Sequence, residues 1–445
     1  MLRHPSICLV GTAVFLALGG CASFENRPLS PDRSAAGFAS RSLHDKGLHA
    51  FLQNQHAGGG SWTPDRLAVA AAYFRGDVAV ARAEAEEAAA RIKTACQLPN
   101  PVFSFSPGYN STSKGISPWI LSPTFDIPIE TAGKRGLRVA EARAGAGAAQ
   151  LRVVAAAWRV RKEVLDAALD LYAARQTGSL IEKEVTLREE ELHKLDIQVQ
   201  AGESSPFEMN QARLALNRAR LARHDAESRA ATARARLAAA VGIPSTALDG
   251  VNLDFSRFRS LPSDPGSSAR RRALTHRADL LAALADYAAA DAALRLEIAR
   301  QYPNITLSPG YELDQTDNKW LLGFSVELPV LNQNRGPIAE ATARRKRLGK
   351  AFEAQQATVF GEIEIARAAY RSAREKVSLA SKLAADADHA CETTRAMVDA
   401  GELAPLESTR RKIEAADADL ALEQARIDAR KAANDLEAAI QAPLH

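Results

Sequence analysis

The fold is decided by an alternating stretch of apolar and polar side chains, Ile305-Thr306-Leu307-Ser308-Pro309-Gly310-Tyr311-Glu312-Leu313-Asp314. A second alternating stretch, from Trp320 to Leu328, follows after a short polar turn. Strict alternation over about ten residues is typical of a β-strand with one lipid-facing side and one water-facing side. A soluble hairpin with one face on a core would alternate in the same way. The pattern alone therefore predicts a hairpin and leaves its surroundings open.

Three short motifs occur twice in this chain, in the same order and about 200 residues apart, which indicates a duplicated architecture. The pairs are Ser106-Pro107-Gly108-Tyr109 with Ser308-Pro309-Gly310-Tyr311, residues 125–129 with 326–330, and Gly202-Glu203…Pro206 with Gly401-Glu402…Pro405. We therefore expect one β-hairpin at 101–129 and a second at 303–330.

Long stretches rich in Ala, Leu, Arg and Glu follow each hairpin, and these residues are strong helix formers. They predict helical hairpins over 134–240 and 337–440, each reversed at a turn that contains Gly and Pro. At about 1.5 Å per residue the first helix would extend roughly 100 Å. Paired helices of this length usually form coiled coils. Single helices are predicted at 62–95 and 277–300, and an extended or weakly ordered arm at 22–60.

The first residues predict export. An apolar run from Ile7 to Leu18 follows a basic start and is too short for a permanent membrane helix, so we interpret residues 1–20 as a signal peptide. The following Gly19-Gly20-Cys21 resembles a bacterial lipobox. That resemblance implies that Cys21 is lipidated, and Ala22 after it favours the outer membrane. A plain signal peptide without lipid is the alternative.

The predicted fold is mainly helical, with a membrane β part and an internal twofold repeat. Its parts are a signal peptide at 1–20, a lipidated arm at 21–61, a first repeat at 62–241, a linker region at 242–275 and a second repeat at 276–445. Each repeat contains a helix, a β-hairpin and a long helical hairpin.

Several classes of function are excluded by what the sequence lacks. The net charge is only +4, and basic and acidic residues are interleaved, so no nucleic-acid partner is expected. No phosphate-binding loop or nucleophile elbow occurs, and the nine His are scattered without metal-ligand spacing. We therefore predict no catalytic residue, no metal site and no cofactor. Cys96 and Cys391 are expected near opposite ends of the molecule, without a disulfide between them.

Four strands per chain cannot enclose a water-filled interior, since the smallest bacterial barrels have about eight. Unpaired strand edges are also intolerable in lipid. The hairpins must therefore be completed by other subunits, and this reasoning leaves a dimer, a trimer or a larger assembly open.

Four further motifs lie at the borders of the predicted elements. They are Leu98-Pro99-Asn100-Pro101, the stretch from Pro128 to Gly133-Lys134-Arg135, Arg277-Ala278-Asp279-Leu280 and Tyr302-Pro303-Asn304. Their order resembles the TolC-like outer-membrane efflux channel family over residues 62–440. Within that family the chain looks most like the lipidated channels that serve resistance–nodulation–division pumps, including heavy-metal exporters.

The resemblance implies a homotrimer with a twelve-stranded β-barrel and an α-helical tunnel, with residues 242–272 in a belt around it. The implied function is the exit duct of a tripartite efflux system in the outer membrane. It would passively conduct heavy-metal ions, drugs or other organic compounds received from a periplasmic adaptor and an inner-membrane pump. The alternative is a lipid-anchored periplasmic coiled-coil scaffold or adaptor.

The two helical turns are the predicted site, at the periplasmic mouth of the tunnel. By resemblance, the adaptor-contact positions are Gly202, Glu203, Pro206, Gly401, Glu402 and Pro405. The glycines and prolines could alternatively serve only to reverse the chain. Glu407 and Arg410 are three residues apart and so share a helix face. We therefore predict a gate closed by ion pairs rather than by a ring of carboxylates.

Four acidic side chains in the predicted strands should face the water-filled interior, because their neighbours on the opposite face are uncharged. They are Asp126, Glu312, Asp314 and Glu327.

Overall fold

A computed structural model describes residues 24–112, 117–266 and 268–444. The described residues fall into two compact units divided after Arg41. The first unit contains helix α1 (Pro31–Ala39), whose first turn is capped by Ser30. The predicted signal peptide and the lipidation site at Cys21 lie outside the described residues.

The second unit contains the remaining helices and all four strands of the described chain. In order they are α2 (Lys46–Asn54), α3 (Pro64–Phe74), α4 (Gly76–Cys96), β1 (Val102–Tyr109), β2 (Trp119–Ile129), α5 (Lys134–Gln200), α6 (Pro206–Val241), α7 (Ser268–His276), α8 (Ala278–Ala299), β3 (Ile305–Asp314), β4 (Asp317–Val326), α9 (Arg335–Asp399) and α10 (Pro405–Ile440). Two 3-10 turns, Ser245–Leu248 and Ser256–Phe258, lie between α6 and α7. The prediction of a mainly helical chain with two β-hairpins is confirmed.

The prediction of an extended or weakly ordered arm at 22–60 is wrong for the described residues 24–60, because α1 and α2 lie among them. Asp45 caps α2 by accepting a hydrogen bond from the Leu48 backbone N–H, at 2.7 Å. Leu48 and Leu52, one turn apart, are both fully buried against α3. Burial of these two side chains stabilises a helix too short to form alone.

The predicted helix at 62–95 is divided in two. The chain is extended at Arg75, with ψ of 127°, and a new helix begins at Gly76. The Arg75 guanidinium donates to both carboxylate oxygens of Asp77, at 3.1 and 2.9 Å. Asp77 also accepts a hydrogen bond from the Val78 backbone N–H at 3.1 Å, which satisfies a donor in the first turn of the new helix.

The same break occurs in both repeats. Arg75 lies between α3 and α4, binds Glu163 of α5 at 2.9 Å and reaches the Ala240 carbonyl oxygen near the end of α6, at 3.5 Å. We call this contact set the first arginine clamp. Each clamp ties the start of a short helix to both members of a long helical hairpin.

The second arginine clamp is tighter. Arg277 lies between α7 and α8 and binds both carboxylate oxygens of Asp279. It also binds Glu362 of α9 at 2.7 Å and the Ala439 carbonyl oxygen of α10 at 2.9 Å. The Arg277 residue is only 7% exposed.

The four strands form one antiparallel sheet in the order β1-β2-β3-β4. The two hairpins are joined through β2 and β3, with Leu121 opposite Leu313. Gly310 opposes Thr124 so closely that an added Cβ would lie 2.8 Å from the Thr124 methyl carbon. Within the described chain β1 and β4 each keep one unpaired edge.

The long helices lie side by side in the order α6-α5-α10-α9, because α5 packs on α6, α9 packs on α10, and α5 contacts α10. The outer members of this row are therefore α6 and α9. Two large apolar clusters lie beside it: one joins α2, α3, α5 and α6, and the other joins α7, α9 and α10.

No helix in the described ranges has both the length and the hydropathy of a membrane-spanning helix.

Candidate functional site

The first helical turn connects α5 to α6. Gly202 has φ of +77°, a left-handed conformation that glycine adopts without steric cost. The Glu203 backbone N–H donates to the Gln198 carbonyl oxygen at 2.8 Å, which satisfies an end carbonyl of α5. Ser205 caps α6, and Pro206 occupies the first turn of that helix. Gly and Pro thus set a tight reversal at this end of the molecule.

The second helical turn has nearly the same backbone. Gly401 has φ of +78°, and the Glu402 N–H donates to the Met397 carbonyl oxygen at 2.9 Å. Pro405 again begins the returning helix, but Ala404 provides no side-chain cap. All six residues predicted to contact an adaptor are exposed. Their turn chemistry is therefore clear, while their role as a contact surface stays a prediction.

The two turns are held next to each other by an apolar cluster. Leu195 of α5, Ala212 of α6 and Leu406 of α10 are all buried in it. Because these residues lie within a few turns of the two reversals, the cluster brings both turns to one end of the helical row. The six predicted contact residues therefore lie at the same end of the helical row, which we call the tip.

A lysine of α5 fixes the beginning of α10, a contact that sequence reasoning missed. Lys194 Nζ donates to the Thr409 hydroxyl at 2.7 Å and to the Pro405 carbonyl oxygen at 3.3 Å. It also binds Glu190 on its own helix at 2.6 Å. The hydrogen bond from Lys194 is the main reason that the pKa of Glu190 lies below its usual value. The spacing of Glu190 and Lys194 was the only signal in the sequence.

The predicted gate residues do pair. Arg410 Nη1 lies 3.1 Å from Glu407 Oε1, as their spacing indicated. Arg410 Nε also lies 3.7 Å from Glu191 on α5, a carboxylate that the sequence analysis did not identify. Arg188 contacts the same carboxylate at 3.4 Å. Arg410 therefore connects α10 to α5 rather than serving only its own helix.

Of the four acidic residues predicted to face the interior, Asp126, Glu312 and Asp314 lie on one side of the sheet. Ser308 donates to Asp126, and Ser122 donates to Glu312 across β2 and β3. Lys319 of β4 binds Asp314 at 2.6 Å and Glu312 at 3.3 Å, so a lysine offsets part of the acidic charge. Glu327 follows the last residue of β4.

Among the described residues no group of three or more His, Cys, Asp or Glu side chains could hold a metal ion. Cys96 and Cys391 are both free thiols. The arrangement at the tip consists of turns, ion pairs and hydrogen bonds, which suit contact and gating.

Two comparisons with known sequences bear on this geometry. The model of the family described as outer membrane efflux protein matches residues 69–243 and 269–441. The cobalt-zinc-cadmium resistance protein CzcC of Cupriavidus metallidurans is 27% identical over 220 residues, which cover 48% of this chain and 51% of that protein. The aligned part thus spans about half the length of this curated relative.

Solved structures share the fold at low sequence identity. The outer membrane protein VceC of Vibrio cholerae has a TM-score of 0.68 at 17% identity, covering 86% of this chain and 97% of that chain. CusC also has a TM-score of 0.68 at 17% identity, with 95% and 99% covered. The MtrE outer membrane channel of Neisseria gonorrhoeae has a TM-score of 0.67 at 18% identity, with 85% and 89% covered. With most of both repeats matched, the chain belongs to the outer membrane efflux protein family, whose members are channels and not enzymes.

Proposed function

We propose that this chain is one protomer of a trimeric exit duct in the outer membrane, which passively conducts substrates from a periplasmic adaptor and an inner-membrane pump. The observation that carries the proposal is a four-stranded sheet with two unpaired edges, joined directly to helices of 67 and 65 residues. Unpaired edges in lipid require partner strands, and the two α-helices extend roughly 100 Å. Three copies would supply twelve strands and a closed barrel.

The outward face of the sheet suits a lipid environment. Trp320, Leu322 and Phe324 alternate along β4 and are 84%, 72% and 78% exposed in the single chain. Side chains of this size are seldom so exposed to water in one contiguous patch. Tyr311 packs edge-on against Trp320, with ring centroids 5.2 Å apart, in an arrangement suited to an interfacial aromatic girdle.

The outer helices of the row carry matching apolar residues that could close the ring between protomers. Exposed residues recur at seven-residue spacing on both helices, as in a coiled-coil seam. They are Phe207, Leu214 and Leu221 on α6, and Leu383, Ala390 and Met397 on α9. The number of residues between the first turn and Phe207 is about the same as the number between Met397 and the second turn. The two seams therefore lie at equal heights above the tip, which favours α6 of one protomer packing on α9 of the next.

We predict that Leu214→Glu combined with Leu221→Glu abolishes most of the trimer, because two carboxylates would be placed in an apolar seam. The measurement is heat-resistant trimer migration of protein extracted from outer-membrane fractions. The matched control is Gln211→Glu with Arg218→Gln, which makes the same charge change at exposed positions of α6. Trimer that resists heating equally in both variants would show that the α6 seam is not a protomer contact.

The cargo and the anchor are further parts of the proposal. Similarity to a protein named for cobalt, zinc and cadmium resistance favours metal ions over organic compounds. We also propose that Cys21 carries lipid and that the tip residues contact the adaptor. A tethered periplasmic scaffold is the weaker alternative, because the family match includes the segments on both sides of each β-hairpin.

The test of the duct is site-specific photo-crosslinking in living cells from position 204, where Ser204 lies on the tip. We expect capture of a periplasmic adaptor, identified by mass spectrometry. The control is the same crosslinker at Ser228, an exposed site on α6 about 35 Å from the turn. Capture of only this protein's own subunits would place the docking surface elsewhere. No capture together with an inner-membrane location would support the scaffold.

A further inference from the structure

A cavity of about 370 Å³ lies between α7 and α9, midway along the long helix. Three arginines line it, Arg270 from α7 and Arg367 and Arg371 from α9. The remaining wall consists of Gly266, Ala269, Ile363, Glu364 and Ala368. Half of the lining residues are therefore charged, and three of these four carry guanidinium groups.

The positive charge at this cavity exceeds the negative charge. Arg270 is paired with Glu364, and Arg367 binds the carboxylate of Asp264, with Nε 3.0 Å from Oδ1. Hydrogen bonding from Arg367 lowers the pKa of Asp264, and the nearby charge of Arg371 adds to this effect. Arg371 itself makes no hydrogen bond or ion pair to any residue in the described ranges. A guanidinium does not lose its proton at physiological pH, so this charge persists.

The internal repeat shows that the fold does not need these arginines. Phe74 ends α3 directly before the first arginine clamp, and His276 ends α7 directly before the second. When the two repeats are aligned at Arg75 and Arg277, Ala68-Val69-Ala70 correspond to Arg270-Arg271-Arg272. Ala68 and Ala70 are buried, in one apolar cluster with Leu48 and Leu52 of α2. In the first repeat the corresponding surface is thus covered by a helix.

The long helices differ in the same way. Glu163 and Glu362 each bind a clamp arginine, so they occupy corresponding positions in the two long helices. An alignment at these two residues places Ala168 opposite Arg367 and Tyr172 opposite Arg371. Ala168 is fully buried. Tyr172 packs against Phe255 and Phe258, with ring centroids 5.8 and 5.7 Å away. Among the described residues no helix covers α7 as α2 covers α3, and the uncovered surface carries arginines instead of apolar side chains.

We propose that this cavity is a binding site for an oxyanion, the carboxylate or phosphate group of a ligand in the periplasm. Guanidinium groups bind both kinds of oxyanion through paired N–H donors, and Arg371 has all its donors available for this. Only the periplasmic location of the ligand rests on the proposed function; the binding chemistry rests on the cavity itself.

The sources of the oxyanion can be separated with two probes and the purified full-length protein in detergent. Inorganic phosphate is titrated by calorimetry, and purified peptidoglycan sacculi, which carry many carboxylates, are tested by co-sedimentation. We expect Arg371→Glu to weaken the binding of whichever probe the unsubstituted protein binds by at least about tenfold. This is the effect of losing one charge-assisted contact. Arg371→Gln removes the charge without reversing it, and it should act in the same direction.

The control is Lys382→Glu, an equal charge reversal at an exposed site further along α9. Binding of phosphate alone would support a free-anion site, and binding of sacculi would support attachment to the cell wall. The proposal would be overturned if the unsubstituted protein bound neither phosphate nor sacculi. It would also be overturned if Lys382→Glu weakened binding as much as Arg371→Glu. Loss of the trimer in Arg371→Gln would also overturn it, since the arginine would then serve assembly. None of these readouts requires conduction, so failure of the duct proposal would be seen separately.

Discussion

Arg277→Ala is expected to lower the stability of the second repeat by about 1–3 kcal/mol, the usual cost of leaving a buried hydrogen-bond acceptor without its donor. Arg277 connects Asp279 of α8, Glu362 of α9 and the Ala439 carbonyl oxygen of α10. Without the guanidinium, Asp279 keeps its charge in a half-buried position and the Ala439 carbonyl loses its donor. The contact with the half-exposed Glu362 contributes little to this cost.

The measurement is the thermal unfolding of the purified protein by circular dichroism, together with its abundance in the outer membrane. The internal control is Arg75→Ala in the first repeat. The Arg75 side chain is 23% exposed and reaches its carbonyl only at 3.5 Å, so its removal should destabilise less. Equal losses in the two variants would show that burial does not distinguish the clamps.

Much of the helical part could be predicted, because its signals are local. The bounds of α10 agree with the sequence prediction, and Gly202 and Gly401 end the preceding helices as their φ values require. Short helices were harder to predict from the sequence. The signal for α2 is one buried pair, Leu48 and Leu52, within a polar segment, and its stability comes from contact with α3.

The break at Arg75 could not be predicted from local pattern, since alanine-rich sequence on both sides favours one continuous helix. Besides Asp77, the partners of Arg75 at this break are Glu163 and Ala240, which are both distant in sequence. The candidate site likewise contains local contacts, which the sequence predicts, and long-range contacts, which it does not. Spacing identified the pair of Glu407 and Arg410, whereas Lys194 and Thr409 meet across 215 residues of sequence. Contacts of that kind follow from the order of the helices in the row, which sequence alone left open.

Arg410→Ala is expected to raise the conductance of the closed channel in planar bilayers. In the single chain Arg410 holds Glu407 and contacts Glu191 of the neighbouring helix. Each half-exposed ion pair is worth about 0.3–1 kcal/mol. Because three protomers would act on one gate, the closed state would lose about 1–3 kcal/mol, which raises the open population roughly five- to hundredfold. Glu191 would keep Arg188 as a partner, so the tip should remain folded.

Arg411→Ala is the matched control, because Arg411 is the next residue on α10 and pairs with Glu414 on an exposed face. It removes the same charge and a similar ion pair without touching α5. If the gate is held by contacts between α10 and α5, only Arg410→Ala opens it. If both variants conduct alike, the net charge of the mouth governs the current. If neither differs from the unsubstituted protein, the ion pairs stabilise the tip but do not close the channel. The contact with Glu191 favours the first result, because it connects the two helices that would have to separate on opening.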